Sequence, residues 1–318
     1  MRTARLKMNG AYFHVMNRCA LQEFLFDDEE KEMFVKMMRR AEFFSGIKIM
    51  DYCVMNNHFH ILLKVPERED VPEALIKERV TVLYGEDRAR KMFARWDAFR
   101  AAGQAEVVEG ELSALERRMY DLSQFMKTLD QRYSVWYRAN HDMKEGTIWQ
   151  GRFYSVLLDS DSGALSAVSS YISMNPVRAK IVVNPEDYPW CGIGAAKRKD
   201  MQACKGLAQI YGKTKDGDLV EQMKQNIDLQ NMAAKKEEPQ VDATTASAPQ
   251  SFEKGALLLR RMKVLSHARV MGSQRFIASH LGVPQPGVGE SLAGAINTGL
   301  SLGEGKLKLY ALSRLRSV

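Results

Sequence analysis

The sequence predicts an α+β fold in which an antiparallel sheet carries helices on one face. Two observations point to it. Residues 10–65 alternate strand, helix, strand, hairpin, strand. The chain then turns helical and charge-rich from Pro66 to about Gly110 before another strand pattern returns near 152–158. A small, basic, mostly helical segment over 252–318 completes the prediction.

In Gly10–Arg18, Phe13 and Val15 fall on one face of a strand, with His14 and Arg18 on the other. Asp27-Asp28-Glu29-Glu30 supplies the negative charge a helix start favours. Met33, Phe34, Met37, Met38, Ala41 and Phe44 keep helical spacing, and Gly46 ends the helix. A strand over about 47–55 runs into Asn56-Asn57, a pair that tolerates the left-handed backbone of a tight hairpin.

The next strand holds His58-Phe59-His60. Side chains two apart on a strand share a face, so the two imidazoles sit about 7 Å apart, close enough for rotamers to close on one divalent ion. Phe59, Ile61, Leu63 and Val65 form an apolar row on the opposite face. Two half-buried structural histidines would look the same, so this pair alone decides nothing.

Beyond the charge-rich stretch, Leu115, Met119, Leu122, Met126, Leu129, Tyr133 and Trp136 predict one long helix packed as a seam. Residues 152–158 read as the fourth strand, and Asp159-Ser-Asp-Ser162 offers N-caps for a helix running to Asn175-Pro176. On that helix Leu165, Val168 and Ile172 form the buried stripe, while Tyr171 and Asn175 share a neighbouring face.

These elements divide the chain into a body over 1–212, with 67–111 as a helical insertion, a partly flexible linker over 213–251, and a basic helical C-terminal domain over 252–318, a candidate for DNA binding. The chain's formal charge of +7 is concentrated at its end: residues 252–318 hold ten Lys/Arg against three Glu, and the remainder is neutral. Such a handle suits an anionic polymer, though a solvated tail has the same composition. Ile277–Val283 resembles the opening of a helix-turn-helix, but Pro284 and Pro286 fall where its second helix should run. No run of 18 apolar residues occurs, which argues against a membrane span, and Cys19, Cys53, Cys191 and Cys204 lack CxxC or metal-finger spacing. A cytoplasmic protein with reduced thiols is expected.

His-Phe-His on a strand, Trp149-Gln-Gly-Arg-Phe153, and a helix ending Tyr171-Ile-Ser-Met-Asn-Pro-Val-Arg-Ala179 together resemble the single-tyrosine HUH transposases, nearest to the REP-associated tyrosine transposases. The resemblance spans roughly residues 8–192, interrupted by the insertion. It implies a ferredoxin-like sheet and an enzyme that cuts and rejoins single-stranded hairpin DNA through a 5′-phosphotyrosine, with Mg²⁺ or Mn²⁺ as cofactor. It places His58 and His60 as metal ligands, Tyr171 as nucleophile, and Asn175 where relatives carry a third, often glutamine-type, ligand. Cys19 after Arg18 departs from the glycine relatives often have.

Asn175 could equally cap a following helix over Val177–Val182, and Tyr171 could be an ordinary half-buried aromatic. His14 reads as structural or near DNA rather than as a ligand. Arg132, Arg138, Lys144, Arg152 and Arg178 are candidate phosphate contacts, with Trp149 as a base-stacking surface or a core residue. A monomer is favoured over a homodimer. A replication-initiator nickase, disfavoured by the lack of a helicase motif, and a domesticated nucleic-acid-binding protein without turnover remain as alternatives.

Overall fold

A computed structural model describes residues 8–20, 26–141, 146–161, 163–212, 219–236, 269–280, 296–302 and 307–312. Four strands, β1 (Ala11–Arg18), β2 (Lys48–Val54), β3 (His58–Val65) and β4 (Tyr154–Leu158), lie in the order β2-β3-β1-β4. Each neighbouring pair among them is antiparallel, with Val15 opposite Ile61 and Met16 opposite His60. The hairpin between β2 and β3 closes where predicted, with Met55 N–H donating to the His58 carbonyl at 2.8 Å.

Helix α1 (Asp28–Ser45) links β1 to β2, and the route from β3 to β4 passes through α2 (Glu73–Tyr84), α3 (Glu86–Ala101), α4 (Ala105–Glu116) and α5 (Leu122–Asn140). With α1 and α5 as the two crossovers, this is the β-α-β-β-α-β order of a ferredoxin-like sheet. Gly46 ends α1 as expected, at φ 72°, with its N–H on the Glu42 carbonyl.

Helices α1 and α5 pack on the same face, and an aromatic core joins them to the sheet. Phe34 of α1 is fully buried, its ring 4.6 Å from that of Phe59 and 5.3 Å from that of Tyr133. Because Phe59 separates His58 from His60, the core side of β3 is fixed by aromatic packing while its histidines face away.

Four expectations are corrected. The long helix is two helices. Tyr120 takes φ 53° and donates its N–H to the Ser45 carbonyl, and the Asp121 carboxylate accepts the Gln124 N–H at 2.9 Å, starting α5 afresh. Leu115 thus belongs to the insertion, which has its own small core around Trp96, Val80, Leu83 and Met119.

The second face of the sheet is not bare either: α6 (Ala164–Ser173) lies across β2 and β3, because its Ala167, Val168 and Ile172 are apolar enough to be buried there.

Asp159 does not cap α6, which starts at Gly163 with φ 71° and no side-chain cap. Its carboxylate instead accepts from Ser273 N–H at 2.9 Å and Ser273 Oγ at 2.8 Å. Ser162 lies outside the described residues.

The last difference is the C-terminal piece. Its described residues hold one helix, Gln274–His280, and three strands, β5 (Val270–Gly272), β6 (Ile296–Leu302) and β7 (Leu307–Leu312). They extend the sheet to seven strands in the order β2-β3-β1-β4-β5-β7-β6, with β5 parallel to β4. Helical spacing over 252–318 was misleading because short strands leave similar apolar runs. The remainder of that piece, including 281–295 where a recognition helix was sought, lies outside the described residues.

After α6 follow α7 (Asn175–Arg178), α8 (Gly192–Lys197), α9 (Met201–Tyr211) and α10 (Leu219–Lys236). α10 occupies part of the expected linker and buries Met223 and Ile227. No described helix is long and apolar enough to cross a membrane.

Candidate active site

The histidine face of β3 meets α6. His58 is half-buried and His60 almost wholly buried, at 1% exposure. Their ring centroids are 5.1 Å apart at 87°. Tyr171 comes down on His60 and His14, with its ring 5.4 Å from the first and 6.1 Å from the second, edge-on to both. Only 5% of Tyr171 is exposed. Residues more than a hundred positions apart thus share one pocket because α6 crosses the strand that bears the histidines.

The ring nitrogens are selectively occupied. His58 Nδ1 donates to Asn57 Oδ1 at 2.7 Å, and His60 Nδ1 lies 2.9 Å from His14 Nε2. Burial lowers the His58 pKa to about 4; the charge of Arg18 acts the same way and a side-chain hydrogen bond with Asn175 opposes it. Burial holds His60 well below the usual imidazole value, and His14, His58, Arg18 and Arg178 add to that shift. Both imidazoles are therefore neutral near pH 7, the form that can ligate a metal.

Asn175 does not cap a following helix. Its Nδ2 donates to the Tyr171 carbonyl at 2.9 Å and to the Ile172 carbonyl at 3.2 Å, closing the end of α6. α7 is only four residues long and has no side-chain cap. Tying the amide nitrogen back to α6 leaves Oδ1 as the donor atom, on the His58 side of the pocket.

Two imidazoles with one nitrogen each spoken for, plus an amide oxygen, form a set that fits Mg²⁺ or Mn²⁺ with positions left for phosphate oxygens. Among the described residues no group of three or more His, Cys, Asp and Glu could hold a metal.

Arg178 is half-buried beside the tyrosine. Its guanidinium carbon is 5.0 Å from the Tyr171 ring centroid, and Nη1 donates to the Tyr171 carbonyl at 3.1 Å. Burial lowers the Arg178 pKa and the neighbouring Tyr171 opposes that shift. Arg138 and Arg152 are exposed, with Arg138 donating to the Gly146 carbonyl. Lys144 lies outside the described residues. Trp149 is buried in the aromatic core, its ring 5.6 Å from Phe59 and 5.8 Å from Tyr133, which leaves no open face for a base. Arg132 is half-buried, on α5 against the insertion.

The sequence reading left His14 as structural or near DNA and passed over Asp51 altogether. His14 reaches His60 only through the β1–β3 register, which no local pattern encodes. Asp51, 1% exposed on β2, follows a register shift and receives Ser169 Oγ of the tyrosine helix at 2.6 Å and Tyr52 N–H at 2.8 Å. A Cβ on Gly192 would meet Asp51 Oδ1 at 2.1 Å, so glycine there gives the carboxyl its room.

Burial raises Asp51 to about 7 against hydrogen bonds from Ser169 and Tyr52. In the unfolded chain it titrates near ~4, so between pH 4 and 7 the folded state binds more protons and loses stability as pH rises. Asp51→Asn mimics the protonated form. Its advantage over the native protein is expected to grow by about 2 kcal/mol from pH 5 to 7 in urea melts. A difference independent of pH would show that Asp51 ionises normally.

Comparison with known proteins gives two findings. Residues 7–94 match the family model described as "Transposase IS200 like", a match that includes His58 and His60 and stops short of Tyr171 and Asn175. A solved structure titled "Structure of the REP associates tyrosine transposase bound to a REP hairpin" aligns at 13% identity and a TM-score of 0.41, over 63% of this chain and 86% of that one. No curated protein matches the chain.

Proposed function

We propose that this chain, whose residues 7–94 match the family model described as "Transposase IS200 like", is a tyrosine transposase that cleaves and rejoins single-stranded DNA beside a hairpin. The observation that carries the reading is the meeting of Tyr171 with His60 at 5.4 Å between rings, beside Asn175 and Arg178.

In this mechanism the Tyr171 oxygen attacks the scissile phosphorus in line. The new bond to the tyrosine forms as the bond to the 3′ oxygen breaks, giving a 5′-phosphotyrosine and a free 3′-hydroxyl. The phenol gives up its proton on attack and the departing 3′ oxygen gains one. Rejoining reverses the sequence and needs no ATP, since the phosphoester energy stays in the covalent link. A tyrosine with a pKa near ~10 is a weak nucleophile until positioned beside positive charge. Arg178 supplies such charge next to the ring. His58, His60 and Asn175 would hold Mg²⁺ or Mn²⁺, which supplies neutralisation of the phosphate when bound.

His14 acts on His60 in this scheme. By accepting at Nε2 it keeps the His60 proton on Nδ1 and leaves the lone pair on Nε2. His14→Ala is expected to weaken Mn²⁺ binding about tenfold to hundredfold in an electron paramagnetic resonance titration, with His14→Gln recovering part of it. Unchanged affinity in His14→Ala would remove that role.

The reading is tested by incubating the protein with hairpin oligonucleotides and Mn²⁺ or Mg²⁺, then seeking a covalent adduct on a denaturing gel and locating it by peptide mass. An adduct at Tyr171 is expected. The burial of Tyr171, at 5% exposure, is what a nucleic-acid-binding protein without turnover would also show. Specific hairpin binding with no adduct across a broad oligonucleotide panel would establish that second reading.

A further inference from the structure

We infer that the helical insertion builds a second DNA-contact surface, centred on Tyr84, that holds the phosphate backbone of a duplex stem away from the tyrosine pocket. This rests on the reading of the chain as a DNA strand-transfer enzyme.

The surface forms where the insertion packs against α1 and α5. Arg118 Nη1 donates to the Tyr84 hydroxyl at 2.6 Å and Nη2 to Thr128 Oγ1 at 3.2 Å. The guanidinium carbons of Arg118 and Arg132 lie 5.9 Å and 5.5 Å from the Tyr84 ring centroid. Arg88 and Lys91 stand exposed on α3 and line a cleft with Tyr84, and Arg40 of α1 is exposed close enough to add to the field at Arg132.

Ion pairing does not offset this charge among the described residues. Arg95, at the rim, is taken up by Glu111 at 2.6 Å. Among the described residues, no carboxylate forms an ion pair with Arg40, Arg88, Lys91, Arg118 or Arg132. Burial and the like charges of Arg40, Arg88 and Arg118 all lower the Arg132 pKa, with Tyr84 the opposing influence. Five cations held together against mutual repulsion favour a bound anion.

The chemistry selects phosphate. Four of the five are arginines, whose forked donors match phosphate oxygens better than a lysine's point charge. The Tyr84 ring is engaged by two guanidinium groups, so it offers no stacking platform for an unpaired base. Contact with backbone alone suits a duplex and carries no sequence information. Position agrees: the insertion sits on the α1 and α5 side of the sheet, whereas Tyr171 lies on the other face with α6.

The test uses full-length protein carrying Arg88→Glu and Lys91→Glu together, both exposed and both apart from the tyrosine pocket. Fluorescence anisotropy measures binding of a hairpin oligonucleotide, and of a single strand lacking the stem, over a range of KCl. The double variant is expected to bind the hairpin at least about tenfold more weakly. The slope of log affinity against log salt should fall by about 2 units, one phosphate contact contributing roughly 0.9. Stemless binding, thermal midpoint and adduct yield at saturating hairpin should stay as in the native protein.

Unchanged hairpin affinity and slope would overturn the inference. Equal losses on hairpin and stemless strand would overturn the assignment to duplex, and a stronger effect on an RNA hairpin would overturn the assignment to DNA. A native protein that forms no adduct yet shows the slope change would defeat the strand-transfer reading and leave this surface standing.

Discussion

Tyr171→Phe is expected to abolish the covalent adduct and lower strand cleavage by roughly 10⁴-fold or more, the scale seen when a lone nucleophile is removed. The substitution deletes one oxygen and keeps the ring that packs 5.4 Å from His60 and 6.1 Å from His14. Hairpin affinity and thermal midpoint should therefore change little. Gel-resolved cleavage with a labelled oligonucleotide reads the loss. If the adduct forms as well in Tyr171→Phe, another side chain is the nucleophile. Tyr133 is a poor substitute for that role, being fully buried in the aromatic core.

Phe34→Ala is expected to cost about 3–5 kcal/mol of folding stability, the range for truncating a buried aromatic. Phe34 is fully buried among Phe59, Tyr133, Phe26 and Trp149. The cavity would open beneath Phe59, the residue whose backbone sets His58 and His60. Urea unfolding measures the first effect and Mn²⁺ titration the second, and weaker metal binding is expected beyond what the folded fraction explains. A loss below about 1 kcal/mol would mean that the surrounding rings collapse into the gap.

The first 65 residues were legible because alternation, acid at a helix start, a helix-ending glycine and an Asn-Asn hairpin all agree. The pocket was legible only in part. His58 and His60 follow from the two-residue period of a strand, and Tyr171 with Asn175 from the four-residue reach of a helix. That α6 would bring the two groups together depends on long-range packing, which spacing does not encode.

The seam from Leu115 to Trp136 misled because its apolar rhythm continues by chance through Arg117–Asp121. Asp121 with Gln124 three residues on was the available sign of a fresh start. Trp149 could not be sorted by pattern, since a tryptophan beside arginines reads as a base platform until its neighbours are known. The Tyr84 cluster was equally hidden, drawing its cations from α1, α3, α5 and the turn after α4.

Residues 1–212 are the natural fragment to isolate, yet the pairing of β4 with β5 makes it an awkward one. Leu157 N–H donates to the Arg269 carbonyl and Asp159 N–H to the Met271 carbonyl. Cutting the chain before them leaves a raw sheet margin with unspent donors beside the pocket-bearing strands, open to any strand that can dock there. Self-association in such a fragment would then report the knife rather than the protein, and stoichiometry belongs to the intact chain.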